Sequence, residues 1–305
     1  MTRGWRIGLA IWVAVLAAVA TGLPMVLNRL VVDHDLFPQG TIITGWLIVG
    51  GSLLLVLATP AFALAQRDMF RRSGLTGRDA VVTAWLSACR LVGWFVLGLA
   101  VVGVAAIPFA GVSPGRLVIG PLAAFVVLAV VLAIQVGLIA SLKSQGLAAA
   151  ATIVTAVALL VVPIVGATIV ERATDSTRTG TDGWNTTVDS VPSWFIVAAD
   201  PLVIVADATP WVLIDDPARS AEPLANGLDP QVAVSGQARE WRVADSQRAT
   251  EAFSSWSLDS ASQAPVVWPF GLLLLSALGA ISLSVGARRI SANRPTTTPN
   301  ETAKV

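Results

Sequence analysis

Six long apolar stretches dominate this chain, and each is long enough to cross a lipid bilayer. A spanning helix needs about 20 mostly apolar residues to cross about 30 Å of hydrocarbon. The stretches lie at about 7–28, 41–65, 82–109, 117–141, 147–170 and 266–287. Each is predicted to be a helix, because a lone strand would leave its backbone polar groups unsatisfied in lipid. The sequence therefore predicts an all-α polytopic membrane protein with six transmembrane helices.

The composition supports the same class. Hydrophobic residues make up 55% of the 305 residues and charged residues only 13%, with a mean hydropathy of +0.74. A soluble globular domain carries about 25% charged residues. This composition therefore indicates lipid as the solvent of most of the chain.

Charge is divided unevenly along the sequence. The region 171–265 contains 14 acidic and 6 basic residues, whereas the remainder contains 5 acidic and 14 basic residues. Basic residues cluster before the first span and after the second, fourth and sixth spans. They are Arg3, Arg6, Arg67, Arg71, Arg72, Arg78, Lys143, Arg288, Arg289, Arg294 and Lys304. The opposite short loops contain only Arg29 and Arg116. The positive-inside rule therefore predicts a plasma-membrane protein with both termini in the cytoplasm and 171–265 outside.

Two segments leave the number of spans open. Residues 1–20 imitate a signal peptide, but the apolar run continues to about Leu27, which favours a retained span over a cleaved leader. The segment 194–214 is long enough to cross, yet it contains Asp200 and Asp207 together with two prolines. A carboxylate at the bilayer centre costs several kcal/mol. This segment is therefore predicted to be a re-entrant or interfacial helical hairpin on the outer face.

These predictions divide the chain into four parts. Residues 1–170 would form helices one to five, with a cytoplasmic loop at 66–82, and 171–265 would be an external segment of loops and short helices. Residues 266–288 would form the sixth helix. The tail at 289–305 has low complexity and is predicted to be disordered.

The sequence contains no recognisable catalytic or metal-binding motif. His34 is the only histidine and Cys89 the only cysteine, which excludes multi-histidine metal sites and a disulfide within the chain. No G-x-x-x-x-G-K-[ST] phosphate loop is present. We therefore expect no enzyme activity, no cofactor and no nucleic-acid partner.

The cytoplasmic loop at 66–79, QRDMFRRSGLTGRD, mixes two apolar side chains with charged ones. A topogenic cluster that only holds the orientation would explain its arginines. A short amphipathic element with charged flanks equally suits a docking surface for a soluble partner. The docking residues would be Arg67, Asp68, Phe70, Arg71, Arg72, Leu75 and Arg78.

Two polar residues lie within the predicted spans. Arg90 lies near the start of the third span, where its side chain is expected to reach the cytoplasmic headgroups or to make a polar contact inside the bundle. Gln135 lies deep in the fourth span and is expected to form an interhelical hydrogen bond rather than a substrate contact.

Several segments resemble the permease subunits of ABC-2-type transporters. They are TPAFALAQRDMFRRSGLTGRDAVVTAWLSACR at 59–90, GVSP at 111–114, GLIASLKSQGLAAAATIVTA at 137–156 and PLVIVADA at 201–208. The family typically has a Glu-Arg pair in the turn after its second span, where this chain has Arg67-Asp68 and Arg71-Arg72. The family's amphipathic amino-terminal helix is nearly absent, because only about six residues precede the first span.

The resemblance implies an exporter subunit that depends on other chains. The segment 66–82 would be the coupling helix on a separate ATP-binding subunit, and a second permease subunit, identical or different, would complete the pathway among membrane lipids. The alternative is a non-transporting membrane scaffold or sensor that uses its external segment.

Overall fold

A computed structural model describes most of the chain, with gaps in several connections and at both ends. The described residues are 3–30, 39–72, 77–110, 114–180, 183–188, 191–210, 229–247 and 266–292.

The described residues are mainly helical. The helices are α1 Arg3–Leu30, α2 Gln39–Gly45, α3 Gly51–Leu64, α4 Arg67–Arg72, α5 Gly77–Ala110, α6 Pro114–Ser141, α7 Gln145–Thr174, α8 Val191–Val197, α9 Pro201–Ala208, α10 Pro230–Gln247 and α11 Trp268–Ala292. A π-helical turn, Trp46–Gly50, joins α2 to α3. Six segments are long and apolar enough to span a membrane: Arg3–Leu23, Gly40–Leu64, Gly77–Ile107, Pro114–Ser141, Gln145–Val170 and Trp268–Ala292. The prediction of a multi-pass helical membrane protein is therefore confirmed.

The helix α6 lies at the centre of the bundle and packs against α3, α5, α7 and α11. Its contact with α11 is close because both surfaces carry small residues. A Cβ atom placed on Gly137 would lie 2.3 Å from the backbone of Ser282, and one on Gly286 would lie 2.8 Å from the Gly137 carbonyl oxygen. The Ser282 hydroxyl donates to the Ile134 carbonyl at 2.7 Å. Small residues at such contacts let helix backbones approach, which is how membrane helices gain packing energy.

The helix α1 packs against α5 and the carboxyl-terminal end of α3. The Trp12 indole donates to the Phe95 carbonyl oxygen at 2.9 Å. Trp5 stacks on Phe62, with ring centroids 5.1 Å apart. Trp5 also meets Phe95 edge-on, with ring centroids 6.3 Å apart, and therefore packs against both α3 and α5.

One end of the bundle brings the basic connections together. The Arg67 guanidinium donates to the Lys143 carbonyl oxygen at 2.7 Å, and Arg289 donates to the Ser141 carbonyl oxygen at 3.3 Å. The start of α5 also touches the last turns of α11, because a Cβ atom on Gly77 would lie 2.4 Å from the Ala287 carbonyl oxygen. The connections that the sequence assigned to one side of the membrane therefore share one end of the bundle.

The opposite end contains the β-hairpin and three further helices. Strands β1 Asp175–Gly180 and β2 Gly183–Val188 pair antiparallel directly after α7. The segment 194–214, predicted to be a helical hairpin, contains the second half of α8 and all of α9, joined by a short turn. Its residues 211–214 lie outside the described part of the chain. The 18-residue helix α10 is longer than the short helices expected between 171 and 265. It packs against α8 and α9. These contacts stabilise a longer helix than the mixture of polar and apolar residues in this segment predicts.

Candidate functional sites

The predicted docking segment begins with a short helix at the basic end of the bundle. Asp68 and Arg78 are exposed, and Arg71 and Arg72 occupy the last turn of α4. Phe70 is only partly exposed and packs against the main hydrophobic core. Leu75 lies outside the described residues. Of the described side chains, those facing outward here are therefore polar, whereas Phe70 anchors α4 to the bundle.

Arg67 connects this helix to the next connection at the same end. Its Nη2 atom donates to the Lys143 carbonyl, which lies in the turn between α6 and α7. A charge-assisted hydrogen bond to a backbone oxygen is stronger than a neutral one. The α4 helix is therefore held against two neighbouring helix ends rather than projecting as a free loop.

The two polar residues predicted within spans have different surroundings. The Gln135 side chain is fully buried in α6, and its Nε2 donates to the Thr59 hydroxyl of α3 at 2.7 Å. The Thr59 hydroxyl in turn donates to the Val56 carbonyl at 2.6 Å. Arg90 is exposed, and it lines a cleft of about 530 Å³ at the basic end. Gln135 therefore links helices, whereas Arg90 faces outward.

A buried arginine organises the opposite end of the bundle. Arg116, the third residue of α6, is completely inaccessible to solvent. It donates to the Asp229 carboxylate at 2.9 Å, to the Thr41 carbonyl at 3.1 Å and to the Pro210 carbonyl at 3.0 Å. It thereby links α6 to α2, to the second residue after α9 and to the residue before α10. A buried pair of this kind is costly to break, since the remaining charge is left without a partner.

Asp229 also begins α10. Its second carboxylate oxygen accepts from the backbone N–H of Gln231 at 3.0 Å, and Pro230 occupies the first helical position, where a missing N–H costs nothing. The Gln231 side chain then donates to the Thr209 carbonyl at 2.7 Å. Burial raises the pKa of the Asp229 carboxyl, and the Arg116 guanidinium opposes that rise. One carboxylate therefore serves both as the partner of Arg116 and as a helix cap.

A second buried ion pair lies nearby. The carboxylate of Asp207, in α9, accepts from the Arg239 guanidinium of α10. Its other oxygen accepts from the backbone N–H groups of Val267 at 2.6 Å and Trp268 at 2.9 Å. These donors begin α11, and a negative charge is stabilised at a helix amino terminus. Asp207 therefore ties α9, α10 and α11 together.

An arginine and three aromatic rings form a further contact among the helices of this end. The Arg242 guanidinium lies 4.8 Å from the Trp194 ring centroid and 5.5 Å from that of Phe270. Phe195 stacks on Trp194, with centroids 3.6 Å apart. Cation–π contacts of this kind join α8, α10 and the start of α11.

Asp200 is the most unusual carboxylate among the described residues. It is fully buried and caps α9, since one oxygen accepts from the Leu202 N–H at 2.7 Å. Its other oxygen is also buried and has no hydrogen-bond partner among the described residues. Burial raises the pKa of Asp200 to about 7, and the hydrogen bonds from the Leu202 and Val203 N–H groups only partly offset this.

No sequence pattern predicted that Arg116 pairs with Asp229 or that Arg239 pairs with Asp207. Arg116 was assigned to a short loop, and Asp207 was treated only as an obstacle to spanning. One local signal was present, because Asp-Pro occurs at 200–201, 216–217 and 229–230; the middle pair lies outside the described residues. An aspartate followed by proline is a typical helix start, and it marks the beginning of both α9 and α10.

The described residues contain no cluster of three or more side chains suited to hold a metal ion. His34 and the 289–305 tail beyond Ala292 lie outside the part of the chain that the structure describes. Comparisons with known proteins found no matching family model, no matching characterised protein and no matching solved structure. The class of the protein therefore rests on its own helices: the described residues form a helical membrane protein with six candidate spans, a basic end and an end organised by buried ion pairs.

Proposed function

We propose that this chain is the membrane permease subunit of an ABC-type exporter, working with a separate ATP-binding subunit. The observation that carries the proposal is the short helix α4. It follows the second span, lies at the basic end, and is held against the α6–α7 turn through Arg67. A short helix held to two helix ends can transmit a push from a soluble partner to the spans.

The orientation follows from the charge pattern. The basic end faces the cytoplasm of a plasma-membrane protein, with both termini on that side, and 171–265 lies outside. The α8–α9 hairpin is then re-entrant or interfacial on the outer face. A second permease subunit, identical or different, completes the pathway. ATP binding shifts the equilibrium between the two conformations of the transporter only to the extent that the ATPase binds one conformation more tightly than the other.

The docking surface consists of Arg67, Asp68, Phe70, Arg71, Arg72, Leu75 and Arg78. Phe70 packs against the core, so replacing it would test folding as much as docking. Arg78 is the better probe because its side chain is exposed.

The test is a search of the neighbouring reading frames for an ATP-binding protein with a phosphate loop, followed by co-expression of that protein with the full chain. We expect the two proteins to copurify, and the membrane subunit to stimulate ATP hydrolysis. Arg78→Glu should lower both the copurified amount and the stimulation several-fold, because it reverses one charge of the surface. A matched control is Arg172→Glu, which makes the same change at an exposed residue of the opposite end. Equal effects of the two variants, or no copurification in the parent protein, would contradict the proposal.

A non-transporting scaffold or sensor is the alternative, and the buried ion pairs at the opposite end favour it. They hold the helices of the outer end in fixed positions, so this end presents a constant surface that a partner could recognise. A chain that inserts normally but neither binds nor stimulates any ATPase would favour this second function.

A further inference from the structure

The cleft around Arg90 lies between three helices at the basic end of the bundle. One wall is formed by α1 and the other by α5, and the turn after α3 closes it. Its lining residues are Trp5, Leu9, Ala65, Gln66, Ser87, Arg90, Leu91 and Trp94. Its volume of about 530 Å³ is within the range of small-molecule sites in proteins, about 300–1,000 Å³.

Arg90 lies on a face of α5 that carries large exposed apolar side chains. Leu86, one turn before it, is 55% exposed, and Leu97, two turns after it, is 50% exposed. Large apolar side chains exposed on a spanning helix are expected to contact lipid. Arg90 is therefore a single cation on a lipid-facing surface.

No protein group neutralises this cation among the described residues. Arg90 makes no hydrogen bond, ion pair or ring contact with them, although other buried or half-buried arginines do. The only acidic residue of α5 is Asp79, which is eleven positions away and therefore about 16 Å along the helix. An unpaired charge on a lipid-facing surface costs free energy unless an anion pairs with it.

The cleft reaches the end of the second span, where the headgroup region is expected. Gln66 and Ala65, which line it, form the turn where the second span ends and α4 begins. Trp5 and Trp94 also line the cleft, and Trp94 is 45% exposed. Tryptophan is enriched at this level of a bilayer because one edge of the indole is apolar and the other donates a hydrogen bond.

We propose that this cleft binds the phosphate headgroup of an anionic phospholipid, with Arg90 pairing with the phosphate and Trp5 and Trp94 holding the glycerol region. A guanidinium suits this role because its planar fork can donate two parallel hydrogen bonds to one phosphate. The Ser87 hydroxyl, one turn before Arg90, offers a further donor within the cleft. The proposal does not depend on the transport function.

The test uses the full chain, purified in a neutral detergent and titrated with dioleoylphosphatidylglycerol, dioleoylphosphatidylcholine or inorganic phosphate at equal ionic strength. Bound lipid is counted by native mass spectrometry, and the thermal midpoint is followed in parallel. We expect retention of the anionic lipid and a rise in the midpoint with it alone. Equal retention of the two lipids would overturn the proposal. An equal midpoint rise with inorganic phosphate would assign the cleft to a free anion and would also overturn it.

Two variants test whether the lipid binds in this cleft. Arg90→Gln should weaken retention of the anionic lipid by at least about fivefold, since one arginine near a membrane surface contributes about 1 kcal/mol. Arg288→Gln removes an exposed arginine at the same end of the bundle but outside the cleft, and it should leave retention nearly unchanged. Equal losses in both variants would indicate general charge attraction and contradict the assignment.

A second measurement does not rely on folding of the Arg90 variant. A brominated anionic lipid should quench the tryptophan fluorescence of the parent chain more than a brominated zwitterionic lipid does. Trp94→Phe should remove part of that excess, because its ring flanks the cleft. No excess in the parent chain would also overturn the proposal.

Discussion

Charged residues of the same type have different roles in this protein, depending on which partner the fold brings to them. Arg116 and Arg90 both lie within a few turns of a helix end. Arg116 is completely buried because the Asp229 carboxylate and two carbonyl oxygens meet it. Arg90 is exposed and unpaired among the described residues. A buried charge is tolerated only where its hydrogen bonds are replaced, so the partners decide where each arginine can lie.

Asp200 provides a pH-dependent prediction at this scale. Its pKa is raised from 3.8 to about 7, so the folded protein holds the proton more tightly than the unfolded chain. Its contribution to stability is fully present below about pH 4 and is lost as the pH rises through about 7. Asp200→Asn keeps a capping oxygen and cannot ionise. We therefore expect the variant to be more stable than the parent at pH 8, with a smaller difference near pH 4.

The measurement is the thermal midpoint of both proteins in detergent between pH 4 and 8. Asp229, whose pKa burial also raises, is present in both proteins, so its effect cancels in the comparison. Parallel midpoint curves for the two proteins would contradict the role given to Asp200.

At the scale of elements, small residues decide how closely the helices approach. The α6–α11 contact needs a glycine at position 137, since any Cβ there would overlap the Ser282 backbone. On α7, Ala148, Thr152 and Ala156 recur every four residues and are all buried. Their spacing places them on one face of the helix, where small side chains allow neighbouring helices to pack closely.

Gly137→Ala is therefore expected to destabilise the bundle, although alanine normally favours a helix interior by about 0.5–1 kcal/mol over glycine. A matched control is Gly146→Ala in α7, where a Cβ would meet no atom within 4 Å. Thermal midpoints of the two variants should move in opposite directions, down for Gly137→Ala and unchanged or up for Gly146→Ala. A Gly137→Ala protein as stable as the control would show that α6 and α11 do not pack closely.

At the scale of the whole molecule, the two ends differ in chemistry. The basic connections meet at one end, where Arg67 and Arg289 contact the neighbouring helix ends. The other end is held by the Arg116–Asp229 and Arg239–Asp207 pairs. A helical bundle with such distinct ends has one orientation that the positive-inside rule favours.

This orientation can be tested with single cysteines in a Cys89→Ser background. Ser144→Cys, in the α6–α7 turn, lies at the basic end, and Ala173→Cys lies at the far end of α7; both positions are exposed. A membrane-impermeant maleimide should label Ala173→Cys in intact cells, and Ser144→Cys only after the membrane is permeabilised. The reverse pattern would place the basic end outside, and equal labelling of both would mean that α7 does not cross.

The sequence by itself determined the six apolar helices, because hydropathy and helix length are local properties of 20-residue windows. The hydrogen bond of Gln135 was also expected from the sequence, since a polar amide deep in a span needs a partner, but its identity as Thr59 was not. Only the tertiary structure decided that Arg116 meets Asp229, 113 positions away, and that Arg239 meets Asp207, 32 positions away. Such pairs depend on how helices from distant parts of the chain pack, and no local pattern records that packing.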